Sequence, residues 1–317
     1  MGAQCVGGRA HARSENPLMY PTGSRRPAWR ADAPASRPTA PPGLSGLRIS
    51  LLFTVSLVSH RQGDLAQRML DDLARTGALL DRVVVTRNLP ERWQPACAHP
   101  RAALEVVDNP RPRGFGANHN AAFARCASEW LVVANPDLRL PSDPLPALLA
   151  AGAPGVGLVA PLVQEPDGSV ADSARALPTP AALLRRYLPG ASAPTVVADA
   201  TAARPPSGEA PQWYAGMFLA IRREAFESIG GFDERYHLYC EDVDLCARLR
   251  LAGWQLRQAR DAVVVHDARR ASRRSLRHLG WHLASMARLW RSDAWRRYRA
   301  LLASERVHRP MHAPGRD

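Results

Sequence analysis

From Ile49 onward, short apolar runs alternate with segments of helical period, and that alternation leaves few folds open to the chain other than a mostly parallel sheet covered by helices. The run over 49–59 is a first strand. A helix follows from Asp64, with Leu65, Met69, Leu70 and Leu73 on one face and Gly77 as its stop. Strands are expected at 83–85 and 104–107, then a loop over 109–116 and a helix over about 118–126. Trp130 to Ala134 reads as a central buried strand ending at Asn135-Pro136-Asp137. The stretch 157–163 with the turn at Asp167-Gly168 suggests a hairpin. Further on come a loop over 189–211, a strand over 214–221, a helix over 223–229, the Gly230-Gly231 break and a helix over 241–251 ended by Gly253. A last strand over 262–265 delivers His266. The class is α/β.

The net charge of +13 first suggests a nucleic-acid binder, so its distribution matters. Residues 1–46 carry +4 and residues 248–317 carry +12, whereas 47–247 carry −3. The body is therefore slightly acidic, which argues against nucleic acid as the partner. Residues 1–46, rich in Pro, Arg, Ala and Ser and without apolar period, are expected to be a disordered tail, with Met19 an alternative start. Five cysteines without CxxC spacing suggest neither a disulfide framework nor a structural zinc site. They fit a reducing cytoplasm. No run reaches the ~18 apolar residues of a membrane span, and the basic-then-apolar order of a secretory signal is missing.

Two acidic motifs stand out, and the first lies where an open α/β sheet binds ligands, at the carboxyl end of a strand. In the first, Pro136 supplies no N–H and ends the ladder, which turns Asp137 out of the sheet towards a cation and a diphosphate. Mg²⁺ or Mn²⁺ suits such an oxygen ligand, because waters and phosphates complete its shell. Asn-Pro-Asp is equally an ordinary turn. In the second, Glu241, Asp242 and Asp244 open a helix, where unpaired N–H groups stabilise carboxylates without any catalysis.

The neighbourhood of these motifs is similar to family-2 glycosyltransferases. Phe232-Asp233-Glu234, then Glu241-Asp242-Val243-Asp244-Leu245-Cys246-Ala247-Arg248, then Ala252-Gly253-Trp254 resemble the family's acceptor-side signature. Upstream, Asn109 followed by Gly114-Phe115-Gly116-Ala117-Asn118-His119-Asn120 resembles its N…GFGxxxN loop, and 130–137 its metal-binding strand end. The order and spacing hold across roughly 50–268, and the rhamnosyltransferase-like branch is nearest in character. The resemblance implies a GT-A, Rossmann-like sheet with helices on both faces and a C-terminal helical extension. The divisions it implies are 1–46 (tail), 47–268 (catalytic domain) and 269–317 (basic helical extension).

It further implies inverting transfer from a nucleotide-sugar donor to a glycan or lipid-linked acceptor, in cell-surface polysaccharide synthesis. Asp242 would be the base and Glu241 the alternative base or acceptor orienter. Asp137 and His266 would hold the metal. Ser59, His60, Asn109, Gly114, Gly116, Asn118, Asn120 and Asn135 would face the donor, the two glycines letting the backbone approach the nucleotide. The chain departs from the pattern in two places. Many relatives carry an aspartate for the nucleobase at the end of strand two, where Thr86-Arg87-Asn88 stands here. Many carry a Tyr-Asn pair at the end of strand one, where Ser59-His60 stands. A non-catalytic nucleotide-sugar or glycan-binding module of the same fold is the alternative, and a nucleotidyltransferase would not need Glu241-Asp242.

Beyond Arg269, residues 276, 279, 283, 286 and 290 place Leu, Leu, Leu, Met and Trp at steps of three and four, flanked by arginines. Such a helix could lie on an anionic membrane surface, at the inner face of the cell membrane, or pack on its own domain.

Overall fold

The computed structural model describes residues 52–180, 210–267 and 276–307. The tail expected over 1–46, most of the 189–211 loop and Arg269, Arg273, Arg274 and Arg309 lie outside them. The elements in chain order are β1 (Phe53–Ser59), α1 (Gly63–Leu73), β2 (Leu80–Arg87), β3 (Ala103–Asp108), α2 (Phe115–Phe123), β4 (Trp130–Ala134) and β5 (Leu138–Arg139). They continue with α3 (Leu145–Ala151), β6 (Val156–Gln164), β7 (Ala174–Arg175), β8 (Trp213–Tyr214), β9 (Phe218–Arg222), α4 (Arg223–Ser228) and α5 (Glu241–Leu251). Then come β10 (Gln255–His266), α6 (Leu276–Arg291) and α7 (Asp293–Val307).

Eight strands form one sheet in the order β3-β2-β1-β4-β9-β6-β10-β5, and β7 and β8 form a separate pair. Strands β1 to β4, β6 and β10 run one way, while β9 opposes both β4 and β6, and β5 opposes β10. The sheet is mostly parallel, with reversed strands at the places where the candidate site is built.

Period-two alternation sorts the two faces. Phe53, Val55 and Leu57 of β1 and Trp130 and Val132 of β4 join α1 and α3 in one core. Leu131 and Val133 of β4 face the other, with Leu219, Ile221, Leu245 and Leu249. Each large side chain so buried contributes about 1.5–3 kcal/mol. The polar residues of β1 on the second face are satisfied: Thr54 pairs with Ser128 at 2.9 Å, and Ser56 Oγ with His119 Nδ1 at 2.7 Å. Helices α6 and α7 belong to this second core through Met286, Leu289, Trp295 and Tyr298, and the Tyr298 hydroxyl donates to the Gln212 carbonyl at 2.6 Å.

Several expected boundaries shift. Helix α2 begins at Phe115, not near 118, because Gly114 already takes the capping position. The turn at 167–168 forms, with Gly168 N–H on the Glu165 carbonyl, and a short antiparallel return follows: Glu165 N–H donates to the Ser169 carbonyl at 2.8 Å, Ala171 N–H to the Val163 carbonyl at 2.9 Å, and Gln164 bridges Val170. The strand expected over 214–221 is two strands, β8 and β9, parted at Ala215-Gly216-Met217. The strand expected over 262–265 is the end of the longer β10, whose first half carries Arg257, Arg260 and Asp261 and so hides its period, and whose pairing with β6 slips between Ala259 and Val263.

Candidate active site

The first acidic motif sits at the carboxyl end of β4. Asn135 N–H donates to the Met217 carbonyl at 2.9 Å, prolonging the β4–β9 pairing by one residue before Pro136 ends it. The chain then reverses into β5, which pairs Leu138 with His266 of β10, and Asp267 N–H donates to the Asp137 carbonyl at 2.8 Å. Asp137 and His266 thus stand side by side, with Nε2 3.5 Å from Oδ2. Glu165, at the end of β6, reaches His266 Nδ1 at 4.0 Å. Its role was not legible in the sequence, where it follows the β6 run without any motif. The His266 pKa is raised, chiefly by its hydrogen bond to Asp137 and against burial.

The Asp137 Oδ1 atom is buried with no hydrogen-bond partner. A carboxylate oxygen left so beside an imidazole fits a divalent cation, which takes O and N donors. Among the described residues no group of three or more His, Cys, Asp or Glu could hold an ion alone, so the rest of its shell would have to be phosphate and water. Behind the motif, buried Asp72 at the end of α1 accepts from Arg139 Nε and Nη2 at 2.7 Å each, from Leu140 N–H at 2.9 Å and from Arg75. Asp72 therefore fixes β5 directly after Asp137.

The second motif opens α5. Tyr239 and Cys240 just before it both lie in the left-handed region, at φ 72° and 65°. That costs about 1–3 kcal/mol each and sets the angle at which Glu241 and Asp242 leave the loop. Asp242 accepts from Gly216 N–H at 2.9 Å on one oxygen and from Val243 N–H at 2.8 Å on the other. Glu241 is buried, and its Oε2 has no partner. Burial, and then the charge of Asp242, push the Glu241 pKa well up; burial also raises that of Asp242, while backbone N–H groups oppose it. Asp244 is the structural member of the three: it pairs with Arg248 at 2.6 Å, and Arg248 in turn donates to the Ile229 and Gly231 carbonyls at 2.9 and 2.7 Å. Those bonds hold the Gly230-Gly231 corner, whose φ values of 75° and 76° only glycine adopts without strain.

The two motifs meet across Ala215-Gly216-Met217. Met217 bonds the residue two before Asp137, and Gly216 bonds Asp242. Phe115, from the start of α2, also closes here: a Cβ on Gly216 would lie 3.3 Å from its ring and 3.5 Å from the Asp242 Cβ. Sequence reasoning missed Gly216, although a glycine within an apolar run signals a break or a close approach.

The residues expected to face the donor divide into two groups. His60 is exposed, and Asn109 and Asn135 are half-buried. Burial, then Arg277, Arg61 and His237, lower the His60 pKa. Ser59, Gly116, Asn118 and Asn120 are buried and Gly114 is half-buried. Ser59 caps the loop by accepting from Gln62 N–H at 3.1 Å. Asn118 accepts from Asn109 Nδ2 at 2.7 Å. Asn120 clamps Phe232 by both its N–H and its carbonyl at 2.9 Å. The two glycines of the loop pack closely on other segments: a Cβ on Gly114 would meet the His237 carbonyl at 2.7 Å and one on Gly116 the Phe232 Cβ at 2.6 Å. They are needed for packing against the 232–237 segment. Asn88 emerges as the centre of the network: it accepts from Asn109 and from Arg113 N–H at 2.8 Å each and donates to the Arg113 carbonyl at 2.9 Å.

The mostly parallel sheet presents Asp137 at its carboxyl edge and the start of α5 presents Asp242, and comparisons with known proteins place this frame among glycosyltransferases. A family model described as the N-terminal domain of galactosyltransferase matches residues 206–270. The chain is 35% identical, over 208 residues, to an N-acetylglucosaminyl-diphospho-decaprenol L-rhamnosyltransferase of Mycobacterium tuberculosis, covering 58% of this chain and 67% of that protein. It is 40% identical over 77 residues to a rhamnosyltransferase of Escherichia coli K12, covering 24% of this chain and 29% of that one. Its fold matches a mannosyltransferase from Pyrobaculum calidifontis, solved with GDP-Man and Mn²⁺, at a TM-score of 0.50 and 20% identity over 82% of this chain and 76% of that one. The fold is therefore of the GT-A type and the protein is a glycosyltransferase. It belongs to the rhamnosyltransferase branch of the family-2 glycosyltransferases.

Proposed function

We propose that this glycosyltransferase moves a sugar, rhamnose by the likeness of its relatives, with inversion, from a nucleoside diphosphate to a hydroxyl of a glycan or lipid-linked acceptor in cell-surface polysaccharide synthesis. The observation that supports this best is the convergence of Asp137 and Asp242 on the same three-residue segment, Ala215-Gly216-Met217. One acid lies on each side of a place where a donor's anomeric carbon could sit. The mycobacterial relative is named for an N-acetylglucosaminyl-diphospho-decaprenol, which supports a lipid-linked acceptor.

In this reading Asp242 takes the proton of the acceptor hydroxyl as it attacks. Its carboxylate is aimed by the Gly216 and Val243 N–H groups, and its raised pKa makes it a better base than a solvated aspartate. Glu241, whose pKa burial and the Asp242 charge push well up and whose Oε2 has no partner, would keep its proton and leave the charge on Asp242. Asp137 and His266 would hold Mg²⁺ or Mn²⁺, which when bound stabilises negative charge on the leaving diphosphate. His60 and Asn109 line the donor's side. The body over 47–268 would carry the chemistry at the inner face of the membrane, with 269–317 as an extension that approaches anionic lipid.

The test separates the two acids. Asp242→Asn should lower sugar transfer by about 10²–10⁴-fold with donor binding largely intact. Asp137→Ala should weaken metal-dependent donor binding, read by calorimetry with and without Mn²⁺. Equal turnover in the Asp242→Asn protein would falsify the base assignment. Donor binding with no turnover in the unaltered protein, towards any lipid-linked or free glycan acceptor, would favour the non-catalytic module.

A further inference from the structure

The two-stranded sheet is tied to the segment that joins the two acids. Its register sets Ala174 opposite Tyr214 and Arg175 opposite Trp213. Ala215 N–H then donates to the Ser173 carbonyl at 2.8 Å, one residue before Gly216 N–H meets Asp242. Side chains directly opposed across an antiparallel pair are neighbours on one face, and the Arg175 guanidinium carbon accordingly lies 5.2 Å from the centre of the Trp213 ring. The indole is itself held, its N–H donating to the Ala176 carbonyl at 2.8 Å.

Arg175 Nε donates to the Asp172 carbonyl at 2.8 Å. The guanidinium is thus fixed at its root and along its face, while its two terminal nitrogens donate to no group among the described residues. Asp172 Oδ1 lies 3.1 Å from Arg175 Nε as an ion pair, yet it is shut from solvent and accepts no hydrogen bond. A buried oxygen without a donor is an exception that calls for a partner. The Arg175 and Asp172 side chains are nevertheless 37% and 39% exposed, so a ligand can reach the pair. Its place next to the base is marked electrostatically: burial raises the Asp242 pKa, and the Arg175 charge is one of the influences that oppose the rise.

A carboxylate beside a guanidinium carries no net charge, which suits a neutral polar ligand better than an anion. Sugar hydroxyls both donate and accept, so one can give its proton to Asp172 Oδ1 while its neighbour accepts from the arginine fork. We propose that Asp172 and Arg175 form the sugar subsite of the acceptor, gripping hydroxyls beside the one that Asp242 deprotonates and so presenting that one to the base. This inference rests on the donor and acceptor reading given above.

The experiment is calorimetric titration of the full chain, with Mn²⁺ and either UDP or dTDP present. The titrants are an N-acetylglucosaminyl-diphospho-prenol of short chain, its monodeoxy forms and the matching neutral alkyl glycoside. At least one monodeoxy form should bind about tenfold more weakly than the parent. Arg175→Gln and Asp172→Ala should each weaken the parent and the neutral glycoside about tenfold, yet weaken a monodeoxy form hardly further, because the missing hydroxyl and the missing side chain are partners. Binding of UDP or dTDP should stay as it was. A merely structural role would weaken parent and monodeoxy forms alike, and that result overturns the subsite. If every monodeoxy form binds as the parent does, the subsite falls without recourse to a variant. If Arg175→Gln weakens the diphospho compound but not the neutral glycoside, Arg175 holds phosphate and the sugar assignment is overturned. If a nucleoside diphosphate binds but neither glycoside does, the subsite falls and the donor reading stands; if nothing binds, both fall.

Discussion

Glu241 and Asp242 are consecutive, yet their carboxyl groups meet different surroundings. Glu241 has one oxygen with no donor at all, whereas Asp242 is met on each oxygen by a backbone N–H. Burial raises the pKa of both; the charge of Asp242 adds to the rise of Glu241, while backbone N–H groups oppose that of Asp242. A base must be deprotonated to act, so kcat/KM should climb with pH through an acid limb lying above the ordinary aspartate value of 3.8. A pH–rate profile measured with saturating metal reads that limb, and a midpoint at or below 3.8 would remove Asp242 from the role. At this scale the sequence revealed the acids but not their partners. Asp137, His266, Glu241 and Asp242 stand in recognisable motifs at strand ends and a helix start. Glu165 and Asn88 carry no motif that marks them as partners, because their significance arises from strands that meet only in three dimensions, and Gly216 shows only a glycine within an apolar run. The asparagines and glycines of the 109–120 segment were legible as important, although several of them turn out to hold loops together.

Among the elements, β5 is the shortest in the large sheet and has a large positional effect. Its two residues, Leu138 and Arg139, pair with Val265 and His266 and so bring Asp137 to His266. Burial would raise the Asp72 pKa, but bonds from Arg139, Leu140 N–H and Arg75 outweigh it and hold the carboxyl below its usual value. A depressed folded-state pKa contributes stability that is present above the unfolded pKa and is lost as pH falls through the folded one. Asp72→Asn should therefore lose about 1–2 kcal/mol near neutral pH, a modest figure because both guanidinium groups remain partly in water. Urea titrations should show this deficit vanishing as the pH falls through the depressed Asp72 value. A constant deficit at all pH values would mean that charge is not what anchors β5. The period-two and period-3.6 patterns were enough to place β1, β2, β4, α1 and α5. They failed at β10, where Arg257, Arg260 and Asp261 obscure a strand, and at the 214–221 run, where the apolar residues around Gly216 concealed the break that the site requires.

Over the whole molecule, the basic excess lies in the last part of the chain, and the described part of it is helical and packed. Met286 and Leu289 of α6 are buried in the second core, and the Trp290 indole N–H donates to the Pro178 carbonyl at 3.1 Å. Leu279 and Leu283 on the same helix remain 52% and 57% exposed. The apolar stripe read from the sequence is thus divided: its second half serves the fold and its first half meets solvent. No helix among the described residues is long and apolar enough to cross a membrane. If α6 approaches an anionic surface, the full chain should float with vesicles containing phosphatidylglycerol and less so with neutral ones, and Leu279→Ser with Leu283→Ser should reduce flotation. No association of the unaltered protein with either vesicle would leave α6 as a packing helix alone.

The segment Ala215-Gly216-Met217 carries one further consequence. Because one of its peptide groups holds Asp242 and the next bonds the strand end that presents Asp137, a displacement on either side is felt on the other. On the proposed reading, occupancy of the donor half and of the acceptor half is thermodynamically linked, and the factor by which one ligand changes the affinity of the other is the same in both directions. The enzyme would then sense whether both substrates are in place through a short stretch of backbone, without any moving domain.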